Sequence, residues 1–211
     1  KNILEIAKFY NSRIVFSSTS EVYGDPKIKI QNEEYRGNVN TIGIRSCYDE
    51  GKRIAETLCF EYNKNFKTNI GIIRIFNTYG PYMNPNDGRV IPNFINQCLK
   101  NEDITIYGDG NQTRSFCYIN DLILGLDKMI NCNHFGPYNL GNSIDFTMNE
   151  LASIIKKIIN SKSNLIYQDL PQDDPILRKP NLDKALKFLN WKPSTNLEDG
   201  LIKTIKYFES I

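Results

Sequence analysis

Tyr48 and Lys52 lie four residues apart, downstream of the run Thr19-Ser20-Glu21. Residues i and i+4 project from one face of a helix. An ammonium held near a phenol favours the phenolate, because an opposite charge stabilises the ionised form. A free tyrosine titrates near about 10, so at neutral pH it is a useful base only with such help. The chemistry this pair points to is removal of a proton from a hydroxyl, the first half of a hydride transfer. Tyr-x-x-x-Lys also arises by chance as a solvated pair on an exposed helix, so its meaning rests on its surroundings.

The elements that must position these side chains are legible in the hydrophobic pattern. Arg13 to Ser18 is short, apolar and β-branched, the pattern of a buried strand, and it delivers Thr19, Ser20 and Glu21 to its C-terminal end. Ligands of open parallel α/β sheets bind at that edge. Ser46 to about Phe66 is expected as a long helix carrying Tyr48 and Lys52, and Asn69 to Phe76 as a second strand. Strand, helix, strand implies a right-handed parallel crossover. Asn77-Thr78-Tyr79-Gly80-Pro81 leaves the second strand at the same edge. Further on, helices are expected over about Val90–Leu99 and from Asp121 to about Ile130. Short strands are expected at Thr105–Tyr107, Ser115–Ile119 and Tyr138–Gly141. Thr147-Met148-Asn149-Glu150 has the form of a capping box opening a helix over Leu151–Asn160. Two short helices, Asp183–Leu189 and Leu197–Phe208, close the chain.

Composition narrows the function classes. The 211 residues can bury a substantial core, and 26 basic against 24 acidic residues, net +2, give no reason to expect nucleic acid or an anionic membrane as partner. No apolar run reaches bilayer length. Cys47, Cys59, Cys98, Cys117 and Cys132 are odd in number and form no C-x-x-C pair, which fits free thiols in a reducing, cytoplasmic setting. His134 is the only histidine and falls in a loop pattern, so His-based metal sites and a Ser-His-Asp mechanism are not expected. The chain starts at Lys1, part-way into a helical pattern, and is expected to be the C-terminal part of a longer protein. Any targeting signal or membrane stem would lie upstream.

Four stretches, in order, carry a family resemblance. They are Thr19-Ser20-Glu21-Val22-Tyr23-Gly24, Tyr48-x-x-x-Lys52, Arg74-Ile75-Phe76-Asn77-Thr78-Tyr79-Gly80-Pro81, and Tyr107-Gly108-Asp109-Gly110-x-x-Thr113-Arg114-Ser115-Phe116. Together they resemble the extended short-chain dehydrogenases that act on nucleotide sugars. Arg45 to Arg53, Asp87-Gly88-Arg89-Val90 and Gln112 to Tyr118 look most like the UDP-glucuronate decarboxylases within that family. The resemblance implies an α/β fold: the C-terminal part of a Rossmann-type doubly wound parallel sheet, with a smaller α/β substrate-binding domain. Residues 1–80 would be the C-terminal half of an NAD-binding domain. Residues 81–211 would mainly bind the nucleotide sugar, with about 119–142 returning to the sheet.

The same resemblance assigns roles. Tyr48 would take the sugar C4 hydroxyl proton while hydride passes to NAD, Lys52 would lower the Tyr48 pKa and hold the nicotinamide ribose, and Thr19 would hydrogen-bond the sugar. Ser20 and Glu21 would sit near C5, with Glu21 orienting a water or handling the proton in reprotonation. Arg178 would face the carboxylate of a 4-keto intermediate, whose loss of CO2 leaves an enolate, and the hydride would then return to C4. Arg114 would hold the UDP diphosphate, Asn77 a phosphate or sugar group, Thr78 the cofactor pocket, and Arg89 the cofactor or nucleotide. A homodimer would pack through the Tyr–Lys helix, where Leu58 and Phe66 suit either that interface or the internal core.

Two departures stand out. The family's glycine-rich turn for the cofactor pyrophosphate is absent, so this chain alone is expected to bind NAD poorly. Tyr82 also occupies the position after Gly-Pro where these decarboxylases usually carry Arg. The rival readings are a nucleotide-sugar 4-epimerase or 4,6-dehydratase and a non-catalytic nucleotide-sugar-binding remnant. Ser20 weighs against the dehydratase, which typically has an acid there.

Overall fold

A computed structural model describes residues 1–170 and 177–211. The first helix, α1 (Asn2–Phe9), leads into strand β1 (Ile14–Thr19) and a 3-10 turn, Ser20–Tyr23. The long helix α2 (Ser46–Phe66) and strand β2 (Ile70–Ile75) follow. Both β1 and β2 are parallel and in register from Ile14↔Ile70 to Thr19↔Ile75, the right-handed crossover geometry that the alternating pattern demands. β2 is buried along Ile70–Ile73, which is why it reads as continuous apolar sequence and not as an alternation.

The chain then moves away from this sheet. It runs through β3 (Thr78–Tyr79), α3 (Val90–Lys100), β4 (Ile104–Tyr107), β5 (Thr113–Ser115) and β6 (Cys117–Tyr118). Helix α4 (Ile119–Ile130) and strand β7 (Tyr138–Leu140) bring it back, with β7 parallel to β2. The three-stranded sheet therefore has the order β1-β2-β7. One face packs on α1 and α2 through Leu4, Cys59, Tyr62, Ile70 and Ile72. The other packs on α4 through Ile73, Leu122, Met129 and Leu140.

The remaining elements are β8 (Asp145–Thr147), α5 (Met148–Ile159), β9 (Leu165–Gln168), β10 (Leu177–Arg178), α6 (Asp183–Leu189) and α7 (Leu197–Phe208). β5 lies between β10, parallel, and β8, antiparallel. β4 pairs with β9 and β3 with β6. A second core gathers α3, α5 and α7 around Ile95, Ile104, Leu151, Ile155 and Leu201. The capping box forms, with the Thr147 hydroxyl accepting from Glu150 N–H and the Glu150 carboxylate accepting from Thr147 N–H. Asn101, Asn160 and Asn190 end three helices in the left-handed conformation, which asparagine tolerates better than most residues.

Two boundaries differ from expectation. The strand expected over Ser115–Ile119 is two strands in two sheets, because the chain changes partner at Phe116, whose ring packs edge-on against Tyr79 in the second core. Helix α4 begins at Ile119 and not at Asp121. The Asp121 carboxylate instead accepts from Ser194 Oγ and Thr195 N at 2.8 and 2.9 Å, tying the tail to α4. β8 and β10, with one apolar residue each, carry no strand pattern, and β9 is not among the expected strands although three of its four residues are apolar.

A polar network fastens the loop after β1 onto the sheet. Arg74 on β2 donates to both oxygens of Glu56 on α2, at 2.7 and 3.0 Å, and to the Tyr23 hydroxyl at 3.0 Å. Tyr23 in turn donates to Asn139 Oδ1 at 2.8 Å, and burial pushes its phenol up to about 12. Removing one partner of a largely buried ion pair strands the other charge. Glu56→Ala should therefore lower unfolding stability by about 3 kcal/mol, read from the denaturant midpoint. A loss below about 1 kcal/mol would place the pair among ordinary surface bridges.

Candidate functional site

Glu21 sits one residue into the 3-10 turn that ends β1. Its backbone N–H donates to the Thr19 hydroxyl oxygen at 3.3 Å, so Thr19 caps the turn with its lone pair and keeps its O–H free to donate. The Glu21 carboxylate is held from two sides. Arg178 Nη1 donates to one oxygen, and Arg45 Nε donates to the other at 3.2 Å. Burial alone would raise the Glu21 carboxyl, but the Arg178 charge and hydrogen bond, and then those of Arg45, outweigh it and hold the group below its ordinary value.

Arg178 reaches Glu21 across 157 residues of sequence because β10 pairs with β5, setting Arg178 directly beside Arg114. Gln31 anchors the same segment. Its N–H donates to Lys179 O, its side-chain oxygen accepts from Lys179 N, and its carbonyl accepts from both Asn181 N and Asn139 Nδ2. Arg178 is 5 % exposed, and its Nη1 also lies 3.4 Å from Ser20 Oγ. Its Nη2 is buried and has no hydrogen-bond partner among the described residues. A buried guanidinium nitrogen without an acceptor costs free energy that an incoming anion would recover.

These groups open onto a cleft of about 470 Å³. Its walls include Glu21, Arg45, Asn77, Thr78, Arg89, Arg114 and Arg178, with Phe94, Phe116 and Met148 beneath. Glu21 is the one acid among its described lining residues. Helix α3 starts at this cleft, and no side chain caps its first turn. Arg89 is paired with Asp87 through Nε at 2.7 Å, and Arg114 donates to Thr113 O at 3.0 Å. The cleft is rich in arginine, and apolar side chains complete its lining.

Tyr48 and Lys52 occupy a second, more open pocket with Phe16, Ile44, Cys47 and Ala55, and Arg45 lines both pockets. Tyr48 is 46 % exposed. Lys52 Nζ lies 5.7 Å from the Tyr48 ring centre and donates to Ser17 O at 2.8 Å, which pins the ammonium at the C-terminal end of β1. The structure thus gathers Ser20, Glu21 and Arg178 at one point. Asn77, Thr78, Arg89 and Arg114 stand along the anion cleft, and Tyr48 and Lys52 next to it. Thr78 and Arg89, expected at the cofactor, line the anion cleft, and Thr78 Oγ1 donates to Phe76 O.

Two residues at the site had no role in the sequence reading. Arg45, just before α2, clamps Glu21, and only the fold brings it there. Asp49, next to Tyr48 in the first turn of α2, is buried. Its burial and then the Glu21 charge push its carboxyl up, with Arg45 and Arg178 offsetting only part. Of the stretch around Arg178, residues 174–176 lie outside the described residues. No group of residues suited to a metal ion occurs among the described residues.

The depressed Glu21 carboxyl has a stability signature. Its contribution is complete above the unfolded carboxylate value of about 4.3 and is lost as pH falls through the lower folded value. Glu21→Gln should therefore flatten this part of the acid limb of stability, measured by denaturant unfolding between about pH 6 and 3. Unchanged pH dependence would mean that the Arg178 contact contributes nothing in solution.

Comparison with known proteins agrees with this geometry. The profile of the NAD dependent epimerase/dehydratase family matches residues 1–141. UDP-glucuronic acid decarboxylase 1 of Danio rerio is 49 % identical over 207 residues, which is 98 % of this chain and 50 % of the relative. UDP-glucuronic acid decarboxylase 3 of Arabidopsis thaliana is 52 % identical over 200 residues, 95 % of this chain and 58 % of the relative. The chain spans about half the length of the curated relatives it matches. The crystal structure of UDP-glucuronic acid 4-epimerase from Bacillus cereus, in complex with UDP-glucuronic acid and NAD, superposes with a TM-score of 0.89 at 30 % identity, covering 99 % of this chain and 65 % of that one. UDP-glucose 4-epimerase from Thermotoga maritima, solved with UDP-glucose, gives a TM-score of 0.92 at 25 % identity, covering 99 % and 67 %. The β1-β2-β7 sheet is thus part of a Rossmann-type α/β fold, and the chain belongs to the NAD dependent epimerase/dehydratase family.

Proposed function

We propose that the protein decarboxylates UDP-glucuronate to UDP-xylose through a 4-keto intermediate, using NAD that is regenerated in each cycle. The observation that carries this reading is the buried Arg178. One nitrogen is tied to Glu21, and the other has no partner among the described residues at the wall of an arginine-rich cleft. That arrangement suits a substrate that brings a carboxylate of its own. The relatives named UDP-glucuronic acid decarboxylase, at about half identity over nearly the whole chain, support the same reading.

The residues of the open pocket fit a nicotinamide. Phe16, Ile44 and Ala55 offer apolar walls, and Lys52 has donors to spare beyond the one used on Ser17. Phe16, Ile44, Ala55 and Lys52 would hold the nicotinamide, which would supply reversible hydride chemistry at C4 of the sugar. Tyr48 takes the C4 hydroxyl proton, and Lys52 keeps its charge beside that phenol. Thr19 donates its O–H to the same sugar oxygen. Once C4 is a ketone, the C5 carboxylate is β to it, so the C5–C6 electrons can pass to the ketone oxygen as CO2 leaves. Arg178 holds the departing carboxylate and then the enolate charge, a fixed cation needing no reorganisation. Arg114, Asn77 and the uncapped start of α3 hold the diphosphate.

In this reading residues 1–80 belong to the cofactor domain and 81–211 mainly to the sugar-nucleotide domain, with 119–142 returning to the sheet. We infer a homodimer from apolar side chains left exposed on α1 and α2, among them Ile6, Phe9, Ile54 and Phe66, whereas Leu58 joins the internal core. No helix among the described residues is long and apolar enough to cross a membrane. The free thiols suit a reducing, cytoplasmic setting.

Incubated with UDP-glucuronate and catalytic NAD, the full-length protein should release CO2 and UDP-xylose, identified by mass and proton NMR. UDP-galacturonate would make it an epimerase instead, and UDP-4-keto-pentose with accumulating NADH would mean that the cycle stops after CO2 loss. Tyr48→Phe should cut the rate by about 10²–10⁴-fold, the usual size of a general-base contribution. Arg178→Lys keeps a charge but loses the second nitrogen, and should slow CO2 release by about 10²-fold while oxidation at C4 continues. A Lys variant with the wild-type rate would remove Arg178 from the reaction.

A further inference from the structure

Arg45 stands in an unfavourable place for a helix. It is the N-cap of α2, where its carbonyl accepts from Tyr48 N and Asp49 N at 2.9 and 3.1 Å. The residues that stabilise such a position are short polar ones whose side chain accepts from the first turn, and Arg45 makes no side-chain cap. Its charge also has the wrong sign, because the N-terminal end of a helix carries a partial positive charge that favours anions. A residue that breaks two local rules at once is expected to have its reason outside the helix. The contact that supplies the reason is Glu21. Arg45 Nε donates to a Glu21 oxygen at 3.2 Å, the arginine half exposed and the carboxylate largely buried.

Glu21 poses a problem for a substrate that carries a carboxylate. It is the one acid among the described residues lining the cleft. Arg178 spends one nitrogen on it, and the other, Nη2, is the one that would receive a sugar carboxylate. Two carboxylates would then share a single guanidinium, and like charges that close disfavour one another. Asp49, buried on the first turn of α2, adds to the acidic side. Arg45 takes the second Glu21 oxygen, so Arg178 is not the sole answer to that charge. Arg45 also lines the cleft itself and the adjoining pocket that holds Tyr48.

We propose that Arg45 is a specificity-determining residue of this site: by neutralising Glu21 it leaves Arg178 with charge to spare for a sugar that carries a carboxylate. The proposal rests on the decarboxylase reading above. Arg45 acts through Glu21 and has no need to touch the sugar. Selection of a uronate over a neutral hexose is then divided between two arginines. Arg178 supplies the hydrogen bond, and Arg45 removes the repulsion that would oppose it. A neutral sugar meets no such repulsion, so Arg45 has little bearing on its affinity. Specificity is a difference between two affinities, and Arg45 acts on only one of them.

Calorimetric binding to the full-length, NAD-bound protein tests this, in a Tyr48→Phe background that keeps turnover from obscuring the heats. The readout is the ratio of UDP-glucuronate to UDP-glucose affinity. Arg45→Gln should lower that ratio about fivefold, the upper worth of a partly exposed ion pair, through weaker glucuronate binding alone. Arg45→Lys keeps the cation and should hold the ratio within about twofold of the parent. Glu21→Gln added to Arg45→Gln removes the charge that Arg45 neutralises. The ratio should then be restored, a coupling that a purely structural role would not produce. An Arg45→Gln protein with the parent's ratio overturns the proposal. So does a loss that Glu21→Gln fails to restore, or one that Arg45→Lys shares in full. The Arg45 side chain is exposed and caps nothing, so Arg45→Gln should fold. Should the double variant not fold, the comparison of Arg45→Lys with Arg45→Gln still decides. If the Tyr48→Phe parent shows no preference for the glucuronate, the decarboxylase reading fails and this proposal with it, whereas a preference that survives without Arg45 sinks this proposal alone.

Discussion

The ion pair between Glu21 and Arg178 is the constraint around which the rest of the site is organised. Neither charge is tolerable at its depth without the other. The two belong to opposite ends of the chain, one at the tip of β1 and one on the short strand β10. To meet, the tail must fold back onto the β1 edge, and that return is what closes the arginine-rich cleft. Two further devices hold it there: the backbone and side-chain bonds of Gln31 to Lys179 and Asn181, and the pairing of Arg178 beside Arg114. Gln31 is itself bound to Asn139, which is bound to Tyr23, which is bound to Arg74 on the central strand. The position of one guanidinium is therefore referred, bond by bond, to the rigid sheet. Catalytic groups need that rigidity, because small misplacements of a charge cost much of its effect.

The same constraint explains the division of labour between the two pockets. The parallel sheet ends its strands at one edge, so β1 and β2 deliver Thr19, Glu21 and Asn77 to a common rim. The helix between them carries Tyr48 and Lys52 to the side of that rim, where Lys52 is fixed on the Ser17 carbonyl. Arg45, at the start of the helix, touches both pockets. In the proposed reading, proton removal and charge stabilisation thus sit on adjacent walls, and a sugar bound between them would meet both.

Much of this was legible in the sequence because it depends on local pattern. The strand before Thr19, the helix from Ser46 to Phe66 and the capping box at Thr147 follow from apolar periodicity and cap chemistry, and each appears in place. The positions that sequence reading did not supply are those fixed by long-range pairing. Leu177-Arg178 has no strand pattern, and its role as β10 exists only because β5 accepts it. Arg45 has no signal distinguishing it from a surface arginine until Glu21 is seen against it. Asp49 was hidden between two residues of a motif, and only its burial marks it out. Asp121 was expected to open α4, but the helix begins at Ile119 and the Asp121 carboxylate binds the tail instead. Local propensity is a weak prior that tertiary contacts override, and these sites are where the override occurs.

The central claim is that the unpartnered nitrogen of Arg178 exists to receive a carboxylate carried by the substrate. Calorimetric binding of UDP-glucuronate and UDP-glucose to the NAD-bound, full-length protein tests it most directly. Wild type should prefer the glucuronate by about 10–100-fold, the worth of one hydrogen bond to a charged group, and Arg178→Lys, which keeps a cation beside Glu21 but loses the second nitrogen, should abolish that preference while leaving UDP-glucose affinity nearly unchanged. An equal preference in both proteins would contradict the account and leave Arg178 as a partner for Glu21 alone.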